Sequence, residues 1–242
     1  MSPVRHSYGP DAHQLGELRV PDGDARGVVV VIHGGFWRAA YDLSLGTPLA
    51  VDLTARGWVT WNLEYRRVGN GGGVPATLDD VAAGVDHLAT LADDGLVPPG
   101  SLDRVVVLGH SAGGHLAAWA GGRGSARVPV THVVAQAGVL DLDGALRARL
   151  GDGAVEAFLG GSGPPDARVD PLQQVPLDVP VWCVHAPDDD TVPIEQSRAY
   201  VDRATAVGGT ATLVEVTGGH FGVVDVAHDA WARIRGLVEG IR

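Results

Sequence analysis

Five consecutive β-branched residues at positions 28–32, Val-Val-Val-Val-Ile, run straight into His-Gly-Gly-Phe-Trp. A segment that is apolar at every position, not at alternate ones, belongs to a strand covered on both faces. Further strand candidates lie at 58–63, 105–108, 130–134, 181–184 and 211–216, with an antiparallel edge strand at 14–20. Helix candidates fall between them at 47–56, 78–91, 111–120, 193–207 and 227–241. Leu78, Val81, Val85 and Leu88 recur close to the 3.6-residue period of a helix. This alternation predicts an α/β three-layer sandwich: a mostly parallel central sheet, right-handed crossovers and helices on both faces. The stretch 138–178 breaks the pattern. It is too long for an ordinary connection, so it is read as a small cap or excursion with a helical piece near 154–159. The glycine-rich loop 69–73 is read as a surface turn. The whole chain, 1–242, is expected to form one domain.

Composition narrows the function classes. Apolar residues make up 45% and charged residues 19%, which excludes a disordered chain. The net charge is −11, and all 18 basic residues are arginines with no basic stripe. Nucleic-acid backbones and anionic membrane surfaces are therefore not expected partners. The one cysteine, Cys183, excludes an intrachain disulfide and sits in an apolar run as a core thiol would. No apolar run approaches the roughly 18–20 residues of a membrane span, and no secretory leader is visible, so a cytoplasmic location is expected. Ten histidines occur, but none in an H-x-H or H-E-x-x-H spacing, so neither a metal nor another cofactor is expected.

The chemistry-bearing motif is Gly109-His110-Ser111-Ala112-Gly113, placed after one strand candidate and before a helix. A sharp strand-to-helix turn lifts the serine hydroxyl out of the sheet, and flanking glycines avoid clashes there. The helix N-terminus behind Ser111 favours developing negative charge. Ser111 is the candidate nucleophile, and its base is expected later in the chain. His220, in a loop after the last strand candidate, is best placed to reach across the sheet edge. His228 is a weaker alternative, and His115 lies one turn along the nucleophile helix. The acid is expected among Asp188, Asp189 and Asp190, just beyond a strand end, and their positions alone do not choose among the three. His33-Gly34-Gly35-Phe36-Trp37 supplies candidate oxyanion donors, the backbone N–H groups of Gly35 and Phe36, alongside that of Ala112. Trp37 and Phe221 are candidate pocket walls.

Together these residues resemble the α/β-hydrolase superfamily, and more closely its small esterases and arylformamidases (kynurenine formamidase-like) with an H-G-G-[FY]-W loop. The likeness rests on His33 to Arg38, Asn62 to Arg67, Gly109 to Leu116, His185 to Pro193 and Gly218 to Phe221. In that superfamily the acid precedes x-x-V-P, which here implies Asp189. Relatives usually carry glycine after the strand-end histidine, where this chain has Ala186-Pro187. The resemblance implies a structural role for Glu64-Tyr65-Arg66, with the arginine bridging loops. It also implies a cofactor-free serine hydrolase acting on a small-molecule ester or amide, either short-chain or aryl esters or an N-formyl aryl amide. A homodimer is a superfamily expectation. Competing readings are a prolyl-oligopeptidase-like peptidase and a non-catalytic binding protein on the same fold.

Overall fold

The computed structural model describes residues 2–241. Eight strands form one sheet: β1 (Val4–Ser7), β2 (Leu15–Arg19), β3 (Val28–Ile32), β4 (Val59–Leu63), β5 (Val105–His110), β6 (His132–Gln136), β7 (Val181–His185) and β8 (Ala211–Glu215). Their spatial order is β1-β2-β4-β3-β5-β6-β7-β8. β2 pairs antiparallel with β1 and β4, and every other neighbouring pair is parallel.

The period of two explains why the inner strands are apolar throughout. Val28, Val30 and Ile32 of β3 pack into one core layer, whereas Val29 and Val31 pack into the other. The first layer is closed by α2 (Ala76–Asp93), α3 (Ala112–Gly121) and α7 (Glu195–Ala206), through residues such as Val85, Leu116 and Tyr200. The second is closed by α1 (Thr47–Ala55) and α8 (Asp229–Gly240), through Leu53, Trp231 and Ile234. Both layers lie on the same central strands, and β3 and β5 end side by side between them.

Three details differ from the sequence reading. The antiparallel strand expected at 14–20 is present as β2, but it is not the edge. β1 lies outside it, and β1 is short, polar and mostly exposed, so it carries no apolar signature. β6 starts two residues later than expected, at His132. Pro129 cannot donate to a ladder, and Thr131 commits both its N–H and its hydroxyl to Val105 O. The excursion 138–178 holds three short helices, α4 (Leu142–Arg147), α5 (Leu150–Leu159) and α6 (Pro171–Gln174). It packs sideways against α3 and the loop after β3: Phe158 stacks on Trp37, and His115 Nε2 donates to Val169 O at 2.9 Å. The loop 69–73 folds tightly onto the chain before it. A Cβ on Gly72 would stand 2.2 Å from the Arg66 carbonyl carbon, which only glycine avoids.

Candidate active site

Ser111 sits between β5 and α3 with φ 56° and ψ −118°, a conformation that L-residues rarely adopt. Its surroundings require the flanking glycines. A Cβ on Gly109 would stand 2.0 Å from Gly113 O, and one on Gly113 would stand 2.2 Å from Ile32 O. α3 therefore starts hard against the end of β3. The N–H of Ser111 donates to Gln136 O at 2.8 Å, which ties the turn to β6.

His220 and Asp189 arrive from the neighbouring strand ends. His220 Nδ1 donates to Asp189 Oδ2 at 2.8 Å, and both side chains are buried. Asp189 Oδ1 accepts from the N–H groups of Thr191 (2.9 Å) and Val192 (2.8 Å). Burial alone would raise the pKa of Asp189. Hydrogen bonds from His185, His220 and Val192 N–H outweigh that and hold the carboxyl far below the usual carboxylate range. Asp188 and Asp190 are exposed and do not meet the imidazole; Asp188 Oδ1 accepts from Gly219 N–H at 3.3 Å. Ser111 and His220 line the same cavity. Among the described residues no hydrogen bond joins Ser111 Oγ to His220, a contact that commonly tightens only when substrate is bound.

The loop after β3 forms the facing wall. Gly35 (φ 109°), Phe36 (φ 50°) and Trp37 (φ 53°) are all in left-handed conformations. Among the described residues the N–H groups of Gly35, Phe36 and Ala112 donate to no carbonyl, so they stay available for an anion. A Cβ on Gly34 would stand 3.1 Å from Ser111 Cβ, so this loop touches the Ser111 turn. A buried polar cluster holds the loop from below. Glu64 accepts from Leu43 N–H, Tyr65 N–H and Arg67, and His33 Nε2 lies 3.1 Å from its Oε1. Tyr65 hydroxyl donates to His33 O at 2.8 Å. Burial would raise the pKa of Glu64, but the contact with His33 and these other partners bring it below its ordinary value. Arg66 forms a fork onto Asp80, Nε to Oδ2 at 2.8 Å and Nη2 to Oδ1 at 2.6 Å, which joins α2 to the loop after β4.

The cavity beside Ser111 measures about 230 Å³. Gly34, Gly35, Phe36, Tyr41, Leu45 and Phe221 contribute to its wall, and among the described residues no Arg, Asp or Glu does. Phe221 is 66% exposed and meets His220 edge to face at 5.1 Å. Trp37, expected as a second wall, is instead fully buried and does not reach the cavity. Two successive left-handed residues turn it away from Phe36 and into a stack with Phe158 (4.4 Å between centroids). No residue of the excursion 138–178 lines the cavity either, so it is not a lid over Ser111.

Two histidines at this site lie within the sequence motifs, which give them no role. His110 Nε2 donates to His220 O at 2.9 Å, and burial, with the His220 charge nearby, pushes its pKa down to about 3. His185, at the end of β7, lies 3.2 Å from Asp189 Oδ2. In the sequence His110 is the variable residue of the serine motif and His185 a strand-end histidine, and neither pattern names the partner, which is 110 positions away for one and beyond a turn for the other. Among the described residues no three His, Cys, Asp or Glu side chains gather as a metal site would need, and no helix is long and apolar enough to cross a membrane.

This strand order, with a strained serine after the central strand, defines an α/β-hydrolase fold. The BD-FAE family model matches residues 19–203, and the chain belongs to that family. No curated protein sequence matches it. Solved structures are similar in fold. A truncated carbohydrate esterase from gut microbiota has a TM-score of 0.78 at 22% identity, covering 99% of this chain and 94% of its own. The propionate-bound thermophilic esterase Est2 of the Planctomycetes species Thermogutta terrifontis has 0.78 at 21%, covering 98% and 92%. An inhibited esterase B from Lactobacillus rhamnosis has 0.81 at 21%, covering 98% and 85%.

Proposed function

We propose that the chain is a serine esterase that cleaves small, uncharged carboxylic esters through Ser111, His220 and Asp189. The observation that carries this reading is the 2.8 Å His220–Asp189 hydrogen bond, set across one cavity from a serine held at positive φ. Ser111 Oγ attacks the ester carbonyl while His220 Nε2 takes its proton. Asp189 keeps the imidazole in the Nδ1–H tautomer and stabilises the imidazolium that forms. The N–H of Ala112, with that of Gly35 or Phe36, donates to the oxyanion. Collapse expels the alcohol, which leaves with the proton from His220. Water, deprotonated by the same imidazole, then releases the acid and restores the Ser111 hydroxyl.

The cavity lining supports the substrate class. A wall of glycine, leucine and aromatic side chains suits a short acyl chain or a small aryl group. An amino-acid formamide such as N-formylkynurenine carries a carboxylate and an ammonium, for which no charged side chain stands ready on this wall. The aromatic rim of Phe36, Tyr41 and Phe221 keeps aryl esters and neutral aryl formamides within the class. The test is one panel run with wild type and Ser111→Ala: p-nitrophenyl acetate, butyrate and octanoate, N-formylkynurenine, and a prolyl p-nitroanilide. The short esters should turn over, and the variant should lose at least about 10⁴-fold with Tm nearly unchanged. Equal turnover by Ser111→Ala would remove the mechanism. Preference for the anilide would replace the esterase by a peptidase.

A further inference from the structure

Asp189 Oδ2 is shared by two imidazoles, and the proposed chemistry uses only one. His220 Nδ1 stands 2.8 Å away and His185 Nε2 stands 3.2 Å away. His185 is fully buried at the end of β7, and both of its ring nitrogens have partners. Nε2 also lies 2.8 Å from Val192 O, and a carbonyl can only accept, so Nε2 carries a hydrogen. Nδ1 lies 2.8 Å from Ser197 Oγ on α7. The Nε2–H is therefore forked between Val192 O and the carboxylate. The turn 186–192 wraps around this ring, so the imidazole is the post on which Asp189 is hung.

We propose that His185 is a positioning residue for the esterase reaction: it holds Asp189 aimed at His220 and withdraws part of the Oδ2 charge that would otherwise bind the imidazolium. The inference rests on the serine-esterase reading above. Two consequences follow. Without the donor the carboxylate can rotate about its remaining backbone contacts, which costs turnover. Oδ2 then serves one imidazole alone, so the His220 imidazolium is stabilised and the protonated, inactive form persists to higher pH. The other titratable or charged groups packed around the pair are His110, Cys183, Asp188 and Asp190, His228 beside Gly218, and Glu215 on β8 with its partner Arg198. Burial keeps His110 neutral, and it pushes the Cys183 thiol up to about 12, so neither changes charge in the working range.

The experiment compares pH profiles of kcat/KM on a short ester for wild type, His185→Met and His185→Gln. Methionine removes the donor, whereas glutamine can return an N–H close to the Nε2 position. The expected result is a His185→Met acidic limb moved up by about half a pH unit or more, with kcat reduced several-fold and KM little changed. His185→Gln should bring the limb back. A purely structural role would lower kcat and Tm in both variants with the limb in place, and that result overturns the proposal. If His185→Met does not fold, histidine ¹⁵N NMR of the wild type decides. The His185 ring, assigned among the buried imidazoles by the signals that vanish in His185→Gln, should carry a hydrogen on Nε2. A ring without a hydrogen on Nε2 overturns the proposal. The spectrum needs no turnover, so a failure of the esterase reading, seen in Ser111→Ala, is separable from a failure of this one.

Discussion

Alanine at position 113 tests how tightly the Ser111 turn and the proposed oxyanion loop are locked together. The added Cβ would stand 2.2 Å from Ile32 O and 2.6 Å from His33 O. Real Cβ contacts stay beyond 3.0 Å, so α3 and the end of β3 must separate by about 0.8 Å, the difference between 3.0 and 2.2. Both sides are backbone, so no side-chain rotation relieves the clash. Ile32 and His33 lead directly into residues 34–36, and Gly113 lies two residues beyond Ser111, so the separation opens between the proposed nucleophile and the proposed oxyanion donors. A misplacement of about 1 Å can cost about 100-fold in rate, and loss of one oxyanion donor costs about 10²–10³. The expected outcome is a fall of about 100-fold in kcat/KM on the best short ester, carried mostly by kcat. Overpacking should also destabilise by about 1–3 kcal/mol, read as a lower Tm. Gly236→Ala is the control. It lies on the exposed face of α8 with nothing within 4 Å of the new Cβ, so it should stabilise by about 0.5–1 kcal/mol and leave turnover alone. A Gly113→Ala enzyme with kcat within a factor of about three of wild type and an unchanged Tm would refute the reasoning.

Other perturbations probe the surroundings. Phe158→Ala removes the ring stacked on Trp37 and should cost about 3–5 kcal/mol in denaturant unfolding, with a further drop in kcat as the loop through Phe36 loosens. His115 is buried neutral, its pKa pushed down to about 4 by burial, and His110 to about 3. The unfolded chain takes up these protons below about pH 6.5 while the native state does not, so stability falls as pH drops from about 6.5 toward 4. Tm measured across that range should fall accordingly, and His115→Gln, which can keep a donor to Val169 O, should flatten the slope. Phe221→Ala, at an exposed position, should change Tm little but lower kcat/KM on aryl esters relative to alkyl ones by about threefold to tenfold. An unchanged ratio would remove Phe221 from the substrate wall.

How much was legible in the sequence depended on whether a residue's fate is decided by its neighbours in the chain or by partners far along it. The central strands were readable because each of their residues meets an apolar layer, and the run 28–32 carries that fact by itself. The strained serine was readable for the same reason: Gly109 and Gly113 are required by contacts within the turn or with β3 beside it. β1 was not readable, since four mostly exposed residues gain their order from pairing with β2 and not from burial. Of three adjacent aspartates, geometry brings Asp189 to His220, 31 positions away, and composition holds no record of that meeting. Phe36 and Trp37 make the sharper case. Two neighbouring aromatics look interchangeable as pocket walls, yet successive left-handed residues send Phe36 to the cavity and Trp37 to the core. What selects Trp37 for the interior is the space Phe158 leaves beside His115, and Phe158 comes from the excursion that reads in the sequence as a cap. The excursion thus acts on the site from behind, by holding the loop after β3 against α3. That is why its Gly-, Asp- and Pro-rich composition could suggest a cover over the substrate while its buried aromatic residue does a different job.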